Sequence, residues 1–332
     1  MSGRCHFRGG GMILKTPRCS RYFAGKHSVD TESSMSLIDK LIGATVPLVP
    51  KPLVRRIAAS YIAGETLDDQ VVAIKELNDK GFMAASAILG EDVTRRSEST
   101  EAVGQYEEVL ATIASNRLNS NIHVKLTHLG LKLDKEFCYN NVKRLLEVAG
   151  THGNFVRIDM EDSPTTDDTF DIFFRLNAEF ENVGCVVQAC LHRTANDVKE
   201  LATVKANVRV CKGIYIEPRE IAYLDPGAIR ENYAGLLEEL LKASCYVGIA
   251  THDKWLVAEA IRTIATLDLD VSRYEFQMLH GVDPELRRSI VETGHRLRVA
   301  VPFGPMWYAY SIRRLRKNPR IARYVLQSLF TH

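Results

Sequence analysis

Apolar, β-branched runs recur eight times along the chain: Gly81–Gly90, Ile122–Leu126, Phe155–Glu161, Cys185–Leu191, Val208–Tyr215, Val247–Asp253, Tyr274–Leu279 and Arg298–Phe303. Their length and residue types suit strands. Between them, apolar residues fall three and four apart. That spacing predicts helices over Glu101–Leu118, Asp134–Gly150, Asp167–Asn182, Thr194–Ala206, Asp225–Ala243, Trp255–Leu267 and Pro284–Gly294. Ahead of the first run, Thr66 reads as the cap of a helix whose stripe is Val71, Ile74 and Leu77, with Gly81 at its end. Strands alternating with helices of this length pair parallel, through right-handed crossovers. Eight such units favour a closed barrel over an open sheet. The expected fold class is therefore α/β, a (βα)8 TIM-like barrel. It has a helical extension before it, and C-terminal helices (Tyr308–Arg316 and Pro319–Leu329) over the pocket. Residues 1–34 read as a disordered leader. Residues 35–332 read as a single domain that includes a helical preface over 35–80.

Composition narrows the class. The chain has 332 residues, 45% of them apolar, enough for a substantial core. A formal net charge of +2 sets up no field that would draw nucleic acid. Seven cysteines without a C-x-x-C pair fit a reducing compartment, where they serve as small buried residues. No apolar run approaches the ~20 residues that cross a bilayer. The first 29 residues hold Arg and Lys but no acid, as in an organelle transit peptide, yet Gly9, Gly10 and Gly11 would break an amphipathic helix. An unstructured leader, or a start upstream of Met12 or Met35, is the simpler account. The expected location is the cytoplasm, with peripheral contact to the inner membrane as an option and a mitochondrial site ranked below it. The basic, amphipathic Pro319–Leu329 would suit such contact, although stripes of this kind more often face a core.

Three segments carry polar groups that a core strand has no structural need for. In Arg209–Glu217, alternation puts Arg209, Cys211, Gly213 and Tyr215 on one side and Val210, Lys212 and Ile214 on the other. An arginine inside a barrel needs a partner. A ligand anion, an electron-rich ring, or an internal salt bridge to Asp159 would serve. In Ile249–Asp253, the side chains of Thr251, His252 and Asp253 follow an apolar run, which suits a phosphate or a ribose. A metal would suit these groups too, but the signal for one is weak, since no other histidine stands at ligand spacing. His128, His192 and His280 also lie near strand ends, where capping or core roles are commoner. In the penultimate helix, Arg313 and Arg314 stand beside Lys317, a cluster that would grip a carboxylate or form a solvated basic face. Lys125 and Lys212 are also placed where a Schiff-base enzyme would put its lysine. No G-x-G-x-x-G follows a strand, and neither a P-loop nor a G-x-S-x-G elbow occurs.

Taken in order, Val124-Lys-Leu-Thr127, Arg157-Ile-Asp-Met-Glu161, Arg209-Val-Cys-Lys-Gly-Ile-Tyr215, Ala250-Thr-His-Asp253, Glu275-Phe-Gln-Met-Leu279, Val301-Pro-Phe-Gly304 and Tyr310-Ser-Ile-Arg-Arg314 resemble the proline dehydrogenase family. The resemblance runs from about residue 36 to the C-terminus. It implies a barrel that holds FAD without a Rossmann domain. It also implies hydride transfer from a small cyclic amino acid to flavin N5, a cyclic imine product of the Δ1-pyrroline-5-carboxylate type, and a quinone as electron acceptor. By the same resemblance, Lys125, Arg313 and Arg314 would clamp the substrate carboxylate. Asp159, Tyr215 and Leu279 would shape the pocket. Arg209 would sit beside flavin N5, Gln188 and Gln277 would hydrogen-bond the ring, and Lys212, Gly213, Thr251 and His252 would line the rest of the cofactor.

Two positions depart from the family pattern. Ala300 stands where a tyrosine usually precedes V-P-x-G, and Lys317 stands where R-R-x-x-E has its glutamate. The pocket is thus larger and more positive. Hydroxyproline or a bulkier analogue becomes an alternative substrate, and a catalytically weakened flavoprotein or sensor an alternative role.

Overall fold

The computed structural model describes residues 54, 55, 58, 61–308 and 310–312. Eight parallel strands close into a barrel in sequence order. They are β1 Met83–Ile88, β2 Ser120–Val124, β3 Val156–Ile158, β4 Val183–Gln188, β5 Asn207–Cys211, β6 Tyr246–Ala250, β7 Tyr274–Leu279 and β8 Leu297–Phe303. Helix α1, Leu67–Asp79, precedes β1. The crossovers are α2 Arg96–Ser115, α3 Lys135–Thr151, α4 Thr166–Asn177, α5 Thr194–Thr203, α6 Pro226–Lys242, α7 Lys254–Thr266 and α8 Pro284–Glu292. The expected (βα)8 barrel is thus the observed fold. The leader over 1–34, most of the 35–80 preface before α1, and Pro319–Leu329 lie outside the described residues.

Local chemistry sets the helix ends. Thr66 caps α1 with its hydroxyl accepting from Asp69 N–H, and Asp69 returns a bond to Thr66 N–H. Gly81, at φ +80°, leaves that helix in a conformation few side chains adopt. Helix α2 begins five residues before the expected Glu101. The Glu98 carboxylate accepts from the backbone N–H groups of Thr94 and Arg95, and these polar bonds start the helix where no apolar residue marks it.

Alternation sorts the strands. Ile122, Val124, Val156, Ile158, Val208, Val210, Val247, Ile249, Val299 and Val301 are fully buried beneath the helices. Each contributes about 1.5–3 kcal/mol of burial energy. Their neighbours face the lumen, and many of these are polar. Strand β5 stops at Cys211, short of the expected Tyr215. Gly213 there has φ +99°, and a Cβ on it would collide with Cys190 Sγ. Tyr215 therefore owes its place to the loop and not to strand alternation. Of the cysteines, Cys138, Cys185, Cys190 and Cys245 are buried and free, Cys211 is free and partly buried, and Cys5 and Cys19 lie outside the described residues.

Candidate active site

The carboxyl ends of the strands gather the polar side chains at one mouth. Arg209 on β5 donates from Nη2 to Asp159 Oδ1 at 2.9 Å and lies 3.1 Å through Nη1 from His123 Nδ1. Asp159 follows β3 and His123 belongs to β2, strands that do not neighbour β5. All three side chains therefore meet across the lumen. The internal salt bridge to Asp159 is one of the partners the sequence offers Arg209. Burial, followed by the charge of Arg209, pushes the His123 imidazole well below its usual pKa, so it stays neutral.

Two glutamines flank this arginine. Gln188 Nε2 donates to the backbone oxygen of Glu161 at 2.9 Å, and Gln277 Nε2 donates to Glu275 Oε1 at 2.7 Å. A carbonyl and a carboxylate only accept, so both amide orientations are fixed. Each glutamine keeps its own oxygen as an acceptor. Glu161, buried, takes bonds from Thr127 N–H and Oγ1, and burial raises its pKa despite them.

Lys125, just past β2, pairs with Glu91, just past β1, at 2.5 Å. Lys212 and Arg230 share Asp253, each at 2.6 Å. Burial alone would raise the Asp253 carboxyl, but the hydrogen bonds from Lys212 and Arg230 outweigh it and hold the pKa below the usual value. Asp253 also caps α7 through Trp255 N–H, and the Thr251 hydroxyl accepts from Asp253 N–H. His252 Nε2 accepts from Leu279 N–H at 2.9 Å, which ties the β6 loop to β7. Leu279 pairs in register with Ala300 on β8. Tyr215 is mostly buried, and burial raises its phenol pKa. Both lysines sit in ion pairs, the opposite of the apolar surroundings that activate a Schiff-base lysine.

Lys125, Asp159, Gln188, Lys212, Gly213, Tyr215, Thr251, His252 and Leu279 thus stand at strand ends or in the loops that leave them, and Arg209 and Gln277 lie within β5 and β7. Arg313 and Arg314 lie outside the described residues. The motif reading gave no role to His123, Glu91 or Arg230. Glu91 carried the signal of a polar residue just after the first apolar run, and His123 lies two residues before Lys125 and so shares its side of β2.

A family model described as "Proline dehydrogenase" matches residues 71–325. Over 272 residues the chain is 33% identical to proline dehydrogenase 1 of Bacillus subtilis strain 168, a match that covers 82% of this chain and 90% of the relative. Over 278 residues it is 31% identical to the proline dehydrogenase of Deinococcus radiodurans, again covering 82% and 90%. Among solved structures, proline utilization A from Bdellovibrio bacteriovorus, inactivated by N-propargylglycine, matches with a TM-score of 0.75 at 24% identity. That match covers 79% of this chain and 32% of the other, so the chain spans about a third of that protein and shares its barrel.

Proposed function

Because this chain belongs to the proline dehydrogenase family of oxidoreductases, we propose that it oxidises L-proline or a close cyclic amino acid to the cyclic imine, using FAD. The observation that carries this reading is the cup around Arg209. A lumenal guanidinium lies beside two glutamines whose amide nitrogens are already committed and whose oxygens remain to accept. A flavin ring would offer an N–H donor to such oxygens and the lone pairs of its ring nitrogens and carbonyl oxygens to such a cation. Lys212, in the loop after β5, and Arg230, near the start of α6, share one carboxylate and suit a pyrophosphate. The residues present therefore fit FAD.

FAD, when bound, would accept the hydride at N5. Arg209 would stabilise negative charge on the ring from a fixed position, so little reorganisation is needed during the reaction. Lys125 would hold the substrate carboxylate together with Arg313 and Arg314, as the family resemblance implies. Glu91, paired with Lys125 Nζ, would keep that side chain aimed until a substrate carboxylate takes its place. Leu279 and Tyr215 would pack on the substrate and exclude water, and Asp159 would keep Arg209 from swinging into the pocket. A quinone is the proposed acceptor for the electrons.

Ala300 favours a second substrate. It stands in register with Leu279, and its small side chain would leave space where a larger one would close on the ring. A 4-hydroxylated or bulkier ring would fill that space.

The experiment is anaerobic. The purified protein should show flavin absorption, and proline or an analogue should bleach it. A protein that stays colourless after incubation with FAD would end the proposal. Ala300→Tyr should move preference toward unsubstituted proline. An unchanged substrate ranking would remove pocket size at that position from the account.

A further inference from the structure

His123 stands out among the buried histidines because its ring touches the central arginine. Arg209 Nη1 can only donate, so His123 Nδ1 must accept, and the ring proton sits on Nε2. That Nε2 is buried and has no hydrogen-bond partner among the described residues. Burying an unpaired N–H has a cost that a valine at the same strand position would avoid. The imidazole therefore earns its place through Nδ1. Its bond falls on one guanidinium nitrogen and the bond of Asp159 on another. Two acceptors on separate nitrogens fix the plane of the group, where one would leave it free to swivel. The surroundings keep the ring an acceptor, because burial, and after it the charges of Arg209, Arg157 and Arg298, oppose a positive charge there.

We propose that His123 is a positioning residue: its Nδ1 and the Asp159 carboxylate together lock the Arg209 guanidinium in the orientation from which it acts on the cofactor. The role toward the cofactor rests on the flavin reading above, whereas the Arg209–His123 geometry does not.

The test compares two variants of similar size. His123→Asn keeps an acceptor near the place of Nδ1, and His123→Leu removes it. In the FAD-loaded protein, the flavin reduction equilibrium is measured against a reference dye. His123→Leu should shift its constant toward the oxidised form by about tenfold, the worth of one hydrogen bond to a charged group, and His123→Asn by less than about twofold. No shift in His123→Leu, or equal shifts in both variants, would overturn the proposal. A merely structural role would lower the melting temperature and leave this ratio unmoved. Nitrogen-15 spectra of histidine-labelled wild-type protein need no variant. They should show the neutral Nε2–H tautomer at His123, and an Nδ1–H tautomer or an imidazolium there would refute the lock. If the wild type takes up no flavin, the flavin reading fails, and the tautomer still decides the geometry.

Discussion

The barrel holds charge at both ends of its lumen and handles it differently at each. At the base, Glu275 is nearly inaccessible and is bonded by Arg298 at 2.7 and 3.0 Å, by Tyr246 at 2.7 Å and by Gln277 at 2.7 Å. Burial would raise its carboxyl, and Arg298 outweighs that and holds it low. Beside it, Arg157 is 1% exposed and has the carbonyls of Cys185 and Asn207 and the Asn207 amide oxygen as partners. A cleft of about 600 Å³ opens below them. At the mouth, the Lys125, Arg209 and Lys212 pairs are simpler and partly open to solvent. Base charges are consumed by the fold. Mouth charges are held by single carboxylates that a ligand can displace or join. Similar side chains are thus closed off at one end and left partly open to solvent at the other.

This contrast can be broken experimentally. The largest effect should come from the base. Glu275→Gln leaves Arg298 buried without its counter-charge and should destabilise the protein by about 3–5 kcal/mol in urea unfolding. Full stability in that variant would dissolve the distinction. At the mouth, Arg209→Met should reduce kcat/KM by about 10²–10³-fold while the unfolding midpoint barely moves.

A pH experiment sharpens the comparison. Burial, aided by the charge of Lys125, pushes the His128 imidazole from 6.5 to about 4. Between those values the unfolded chain binds a proton that the folded chain refuses. Stability should therefore fall as pH drops from 6.5 toward 4, by about 3 kcal/mol from this residue alone. His128→Gln should remove that share of the slope. Equal slopes in the two proteins would show that His128 titrates normally. The smallest effect belongs to Lys125→Met, which should raise KM for the amino acid about tenfold with kcat affected less. A fall in kcat at constant KM would move Lys125 out of carboxylate binding.

The strands were legible because their outward residues are mostly apolar, and all Val or Ile in β3, β5 and β6, a pattern that helix-covered parallel sheets impose. Their ends were less so. Nothing in the run Val208–Tyr215 says that Gly213 will turn the chain out of β5, since that depends on Cys190 standing opposite. In the site, Arg209 announced its need for a partner, and Asp159 could be named because a buried cation restricts the choices. His123 could not be named, since its neutral acceptor role exists only after the barrel brings β2 across from β5. Arg230 escaped notice for another reason. It lies within helix α6, where a basic residue normally signals no more than a solvated surface.

The reach of Arg157 has one more consequence. From β3 it crosses to β4 and β5, passing over Gly184, where any side chain would block the guanidinium. A half-barrel ending at β4 would strand that cation without most of its acceptors. Fragments divided at the midpoint should therefore reassemble only together, and this barrel is not a pair of modular halves despite its eightfold layout.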